Sequence, residues 1–314
     1  MRILVVLTGG TIGSTVSGDY ISPDKNAPAK IVKMYTERYG NDDRFEITCP
    51  YTVLSENMNC TFYPRLIECL KEACMRNYDG IIVTHGSDTL QYTAAVLSYT
   101  LTGRNCPIVL VSSNYVLEDE RANGLDNFKG AVDFIRGGYG RGVFVSYKNT
   151  GENTKIHHGL RCMPHLLYSD YLYSFNDEYY GEWDGEQWVY NDRCSRLTIN
   201  KRYRIVDNIP EETGILWIKQ YPGMKYPRVD SFIKAVMLES YHSGTINVAS
   251  REIKDFAKQV RNYDIPVYLT GATPGPDYAS CSEYEKMGIR VLPQESPIAS
   301  YVRLWLMYCA SEIV

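Results

Sequence analysis

Two short stretches carry side chains that could do chemistry together. One is Thr84-His85-Gly86-Ser87-Asp88-Thr89, which follows the aliphatic run Ile81-Ile82-Val83. The other is Thr8-Gly9-Gly10-Thr11-Ile12-Gly13, which follows RILVVL at residues 2–7. Each reads as a strand that turns abruptly polar, and the second is the first strand candidate of the chain. After Thr89, the apolar residues of LQYTAAVLSYTLTG suit a buried helix. In open α/β sheets, loops beyond the carboxyl ends of strands are where ligands bind. The loop at 84–89 offers a histidine, three hydroxyls, a carboxylate and a glycine that lets backbone N–H groups approach a substrate, which is equipment for catalysis. Ser87, Asp88 and Thr89 are equally the residue types that cap helices, so capping stands beside catalysis as a reading of that loop.

Nucleotide binding fits poorly. Gly9 and Gly10 are adjacent, which breaks the G-x-G-x-x-G spacing, and no G-K-[ST] follows. A nucleophile elbow around Ser87 is also absent, because positions 85 and 89 are His and Thr.

TGGTI at 8–12 paired with HGSDT at 85–89 resembles the bacterial-type L-asparaginase (asparaginase/glutaminase) family. Weaker matches follow at Tyr20, at Ser55 in LSENMN, at Lys155 in NTKI and at YPGM (221–224). The resemblance implies hydrolysis of L-asparagine to L-aspartate and ammonia, with Thr11 as nucleophile and Tyr20, on a lid, assisting it. It implies a second catalytic trio of Ser87, Asp88 and Lys155, in which the lysine moves a proton through the hydroxyl. Ser55 and Asp88 would hold the α-carboxylate and α-ammonium, with Glu56, Gly10 and Gly86 completing the substrate-binding set. Ser87 stands where the family usually has threonine, and Glu56 where it often has glutamine; a glutamate there is equally at home on the surface. A lysine in a loop is ordinarily solvated, so Lys155 rests on the resemblance alone. The stretch His242-Ser243-Gly244-Thr245 departs from the family's pattern and receives no role. A homodimer or homotetramer is the family expectation. Rival readings are a glutaminase-asparaginase or related amidase, an ammonia-supplying component of an amidotransferase, and a non-catalytic amino-acid-binding homologue.

The chain must position these groups. Its 314 residues, 44% apolar and 22% charged, suffice for two domains of ordinary globular composition. A net charge of −4 offers no electrostatic case for nucleic acid or a membrane surface, and no apolar run approaches a membrane span. RILVVL is too short for a signal segment and runs straight into the glycine loop, so a cytoplasmic protein is expected. The nine cysteines are irregularly spaced, and His157-His158 lacks a ligand partner at metal spacing, so neither metal nor cofactor is expected.

Residues 14–30 read as a long polar loop around Tyr20. Strands are expected at 44–50, 106–114 and 141–147, with helices between them, the last ending at Gly137-Gly138. Together they argue for a parallel, doubly wound sheet with helices on both faces. The tyrosine-rich stretch 148–193 suits packing or a subunit interface, with a hairpin around Asp184-Gly185, and His157-His158 reads as loop. The fold class is α/β: a larger N-terminal domain (1–193), a linker (194–212) and a smaller C-terminal α/β domain (213–314). The latter is read as beginning at TGILWIKQYPGM (213–224), with a helix in DSFIKA, strands AVMLESYHSG (235–244), IPVYLTGATPG (265–275) and GIRVLP (288–293), and a closing helix from Ser296 to about Glu312.

Overall fold

The structure, a computed structural model, describes residues 1–17, 20–23, 28–184, 187–195, 197, 199, 203–272 and 278–313. The chain divides into two compact units, residues 1–202 and 203–313. Residues 203–205, inside the stretch read as a linker, form a strand of the second unit.

The first unit runs β1 (Arg2–Leu7), β2 (Ser14–Ser17), β3 (Tyr20–Pro23), α1 (Pro28–Tyr39), β4 (Arg44–Thr48), α2 (Tyr63–Cys74), β5 (Gly80–Thr84) and α3 (Leu90–Thr100). It continues with β6 (Ile108–Val111), α4 (Gly124–Gly137), β7 (Val143–Lys148), β8 (Thr154–His158), β9 (Gly181–Trp183) and β10 (Trp188–Tyr190). Eight strands form one sheet in the order β10-β9-β8-β7-β6-β5-β1-β4. From β4 to β7 neighbours are parallel; from β7 to β10 they are antiparallel. β5 lies between β1 and β6 and is buried along its whole length, as an uninterrupted aliphatic run in a parallel sheet should be. α3 is buried on nearly every side. Its Ser98 and Thr100 hydroxyls satisfy themselves on the carbonyls of Ala94 and Val96 (2.7 and 2.8 Å), so burying them leaves no donor unpaired. α4 stops where the glycines place it, with Gly138 left-handed at φ 62°.

The antiparallel half corrects the reading of 148–193. His157-His158 is not loop but the end of β8, paired with Val145 and Phe144 of β7. Trp183 and Trp188 flank the hairpin and pack, with Tyr180, against the first unit's core around Phe134 and Phe144. Tyr139 stacks on Trp188 at 4.8 Å. The aromatic density is therefore internal packing that extends the sheet. Residues 14–30 are likewise not one long loop: the chain pairs as β2 and β3 and enters α1, whose Ile31 and Tyr35 reach the core.

The second unit contains β11 (Tyr203–Ile205), β12 (Ile215–Lys219), β13 (Ala235–Glu239), α5 (Arg251–Asn262), β14 (Val267–Thr270), α6 (Glu283–Lys286), β15 (Ile289–Val291), α7 (Pro297–Trp305) and β16 (Ser311–Ile313). β12 to β15 form a parallel sheet in chain order. On α5, Ile253, Phe256, Ala257 and Val260 make one apolar stripe against that sheet's core. DSFIKA is not a helix: the Asp230 carboxylate accepts from the Phe232 N–H at 2.9 Å, an Asx turn that leaves Phe232 exposed. The closing helix also ends early. After Trp305 the chain makes one π turn over Leu306–Ala310, and β16 pairs with β11. Among the described residues, no helix is long and apolar enough to cross a membrane.

Candidate active site

β1 and β5 are parallel neighbours with Leu7 opposite Thr84, so the two polar loops leave the sheet side by side at its carboxyl edge. Thr8 Oγ1 donates to the Thr84 carbonyl at 2.7 Å, tying one strand end to the other. Beyond it, the backbones touch. A Cβ on Gly10 would fall 2.3 Å from the Gly86 Cα and N, and one on Gly86 would fall 2.4 Å from Ser55 Oγ. Gly10 also holds φ 79°, which a side chain would strain. The glycines therefore serve close approach of three segments. Val53 completes the junction by donating to the Thr8 carbonyl at 3.0 Å and accepting from the Gly10 N–H at 3.2 Å.

Thr11 opens a single 3-10 turn, Thr11–Gly13, with Ile12 buried beneath it and its own side chain partly exposed. Ser14 anchors the turn through its hydroxyl on the Gly10 carbonyl at 2.8 Å. Ser55 is 6% exposed, and its hydroxyl donates to Asp88 Oδ2 at 2.7 Å. Thr89 Oγ1 donates to the Ser55 carbonyl at 3.1 Å, and Gln91 Nε2 to the Asp88 carbonyl at 2.9 Å. Ser87 is half-buried. Thr89 occupies the N-cap position of α3 but makes no side-chain capping bond, its hydroxyl being spent on the Ser55 carbonyl.

His85, the most conspicuous titratable group of the motif, is a structural pin. Its Nδ1–H reaches the Gly86 carbonyl at 2.9 Å, which leaves Nε2 to accept from Thr93 Oγ1 at 2.9 Å. Burial pushes its pKa down to about 4, so the ring is neutral and fully occupied.

Of the residues drawn from the sequence, the structure brings together Gly10, Ser55, Gly86 and Asp88, with Thr11 and Ser87 adjoining them. Tyr20 belongs to β3, and its side chain lies outside what is described. Glu56 is exposed on the 3-10 turn Ser55–Asn57. Lys155 is not brought to Ser87 and Asp88. It sits on β8 opposite Tyr147 and Glu182, with Nζ 2.7 Å from Glu152 and 5.0 Å above the Tyr179 ring. Its side chain is 15% exposed. Burial disfavours its charge, but Glu152 overrides this and raises the pKa, so the ammonium keeps its proton. Among the described residues, no hydrogen bond or ion pair joins Lys155 to Asp88 or Ser87. The physical reason is sheet order: Lys155 stays at the carboxyl edge beside Tyr147, but β8 is separated from β5 and its Ser87–Asp88 loop by β7 and β6.

Ser87 and Asp88 face a cleft of about 960 Å³ within the first unit. Its other walls come from Asn114 and Tyr115 after β6, Arg121, Tyr147 of β7, and the segment 164–170. Asn114 Nδ2 donates to Asp170 Oδ2 at 2.7 Å, which joins two of these walls. Arg121 is held on Asp119 at 2.6 Å and lies 4.1 Å above the Tyr115 ring. His165 packs edge-on against Tyr147, with ring centroids 5.1 Å apart. Sequence reasoning missed these residues because no local motif surrounds them; topology alone assembles them. Among the described residues, no group of His, Cys, Asp or Glu is arranged to hold a metal ion.

The family model for the asparaginase N-terminal region matches residues 2–196. The chain is 27% identical over 238 residues to a glutamyl-tRNA(Gln) amidotransferase component of Pyrobaculum aerophilum, covering 73% of this chain and 54% of that protein. It thus spans little more than half the length of that relative. It is 23% identical over 287 residues to an L-asparaginase of Thermococcus kodakarensis, covering 86% of this chain and 80% of that one. The solved structure of the thermostable L-asparaginase from Thermococcus kodakarensis superposes with a TM-score of 0.76 at 22% identity, over 97% of this chain and 92% of that chain. With two hydroxyl-bearing loops locked together at one sheet edge and a family match over most of its length, the chain belongs to the asparaginase family.

Proposed function

We propose that the protein is an amidohydrolase that cleaves the side-chain amide of L-asparagine, releasing ammonia and L-aspartate. The observation that supports this reading is the backbone junction of Gly10 and Gly86, which brings the loop bearing Thr11 against the segments bearing the Ser55–Asp88 pair. In this mechanism Thr11 Oγ1 attacks the amide carbon and its proton leaves with the amine as ammonia. Water then cleaves the resulting ester, releasing aspartate and restoring the threonine hydroxyl. Asp88 keeps one carboxylate oxygen clear of the Ser55 bond, and that oxygen takes the substrate's α-ammonium. Backbone N–H groups of the loops around Gly10, Gly86 and Ser55 serve the α-carboxylate and the developing oxyanion, the Ser55 hydroxyl being committed to Asp88.

The rival of the same chemistry is a glutamine-directed amidase that passes ammonia to a partner protein. It is favoured by the amidotransferase names among the relatives. Glutamine is longer by one methylene, so with both ends of the amino acid held its amide carbon overshoots Thr11. Asparagine is expected to be preferred by at least about tenfold in kcat/KM. Ammonia release from both amides, by the wild type and by Thr11→Ala, tests the proposal. Equal use of the two sinks the asparagine preference, and release from neither sinks the amidohydrolase reading. A loss of less than about 10²-fold in Thr11→Ala removes Thr11 as the nucleophile.

A further inference from the structure

We propose that His165, and not a lysine, is the basic side chain that serves the Ser87–Asp88 end of the cleft, acting as a positioning residue that takes and returns the proton moved through Ser87. The inference rests on the amidohydrolase reading of this site and adds a group that no motif in the sequence marks.

Geometry leaves few other candidates. The cationic or basic side chains lining the cleft are Arg121 and His165. Arg121 is committed to Asp119 through two hydrogen bonds, at 2.9 and 2.6 Å, and a guanidinium does not give up its proton at neutral pH. Lys155 is held by Glu152. His165 remains: it shares the cleft with Ser87 and Asp88, its ring is set by Tyr147, and its Nε2 is buried without a hydrogen-bond partner among the described residues. A buried, unpaired imidazole nitrogen is costly unless something else uses it.

The surroundings suit a base. Burial lowers the His165 pKa, and the carboxylates of Asp88 and Asp170 offset part of that effect, so the ring is neutral at pH 7. The other titratable groups facing it are Tyr147 on β7, His157 on β8 and Arg121 across the cleft. His157 is itself buried and neutral, its Nδ1 2.8 Å from Ser174 Oγ, so it does not compete for the proton. In the hydrolytic half-reaction, the oxygen of water bonds to the acyl carbon. The water proton passes to the Ser87 hydroxyl, whose own proton moves to the free nitrogen of His165. As the ester bond to Thr11 breaks, the proton returns along the same route to the Thr11 oxygen, and the enzyme ends as it began.

The test combines kinetics and titration. His165→Gln is expected to lower kcat on asparagine by roughly 10²-fold while KM moves by less than about threefold. The wild type is expected to lose kcat/KM as pH drops through the histidine range, and the variant to lack that fall. Independently of turnover, NMR titration of the imidazoles is expected to show the His165 pKa falling further in Asp88→Asn, since a negative neighbour is removed. With five histidines in the chain, the signal absent from His165→Gln identifies the right one. An active wild type with an equally active His165→Gln and an unchanged acid limb overturns this inference and leaves the amidohydrolase standing. An Asp88→Asn titration identical to wild type also overturns it, whether or not the glutamine variant folds. A wild type that releases no ammonia from either amide fails the broader reading instead.

Discussion

Ser55 has one proton to donate, and Asp88 receives it. Removing that bond in Ser55→Ala frees the carboxylate to swing, which weakens the grip on the substrate's charged end more than it changes the chemistry. KM for asparagine is expected to rise about tenfold, the size of one charge-assisted hydrogen bond, with kcat falling by less. A fall confined to kcat would mean that Asp88 is held by other means. Lys155→Met separates a structural cation from a catalytic one. Its loss strands Glu152, which Tyr171 and Asn149 also bond, in a half-buried site. The expected cost is about 1–2 kcal/mol, between that of an exposed and a buried pair, seen as a lower Tm with kcat reduced proportionately less than in Thr11→Ala. A kcat as low as that of Thr11→Ala at an unchanged Tm would restore Lys155 to the chemistry. The loops bearing Gly10, Thr11, Gly86, Ser87 and Asp88 were legible because each follows a strand that its own residues announce, whereas Ser55 rested on the family resemblance. The places of Lys155 and His165 were not legible. Which of the two faces the cleft depends on where β8 falls in the sheet order, and nothing local to either residue encodes that order.

At the scale of elements, the parallel strands β1, β5, β6 and β7 were readable as apolar runs bounded by polar turns, and β4 as an alternating stretch, both strong signals. β8 was not, since Thr154-Lys155-Ile156-His157-His158 carries one aliphatic residue and takes its conformation from its neighbours. α1 was hidden for a related reason: Ile31 and Tyr35 anchor it in the core, but the polar stretch ahead of it dominates the local composition. The end of α4 was legible, because a glycine pair after an apolar stripe marks a left-handed stop. Gly138→Ala tests that stop. At φ 62° a side chain costs about 1 kcal/mol, and a Cβ there meets no neighbouring atom within 4 Å, so backbone strain accounts for the whole effect. Urea unfolding should show a lower midpoint with an unchanged slope. A neutral substitution would mean that the αL geometry is not what ends the helix.

For the molecule as a whole, acid is the condition to which the first unit is most exposed. Burial holds His85 at about 4, His157 at about 3 and His158 at about 4, against about 6.5 in an unfolded chain. Between pH 6.5 and 4 the unfolded state therefore binds more protons than the folded one, and stability falls as pH falls. Each histidine adds a slope approaching about 1.4 kcal/mol per pH unit in that window. Urea midpoints at pH 7, 6 and 5 are expected to drop progressively more steeply, before carboxylates such as Glu46, held near 2 by Arg2 and Tyr78, begin to protonate. Midpoints that stay flat down to pH 5 would show that these rings reach water more readily than their burial implies.

The backbone contact between Gly10 and Gly86 also bears on how such an enzyme could acquire new substrates. With no side chain tolerated on either partner, that junction offers evolution almost nothing to vary. The cleft that Ser87 and Asp88 line is the reverse: Leu166, Leu167 and Tyr168 line it too and are exposed, and substitution there disturbs no core. Adaptation to a bulkier amide is thereby channelled into residues 166–168, which makes that short segment the most promising place for a mutant library and the two glycines the poorest.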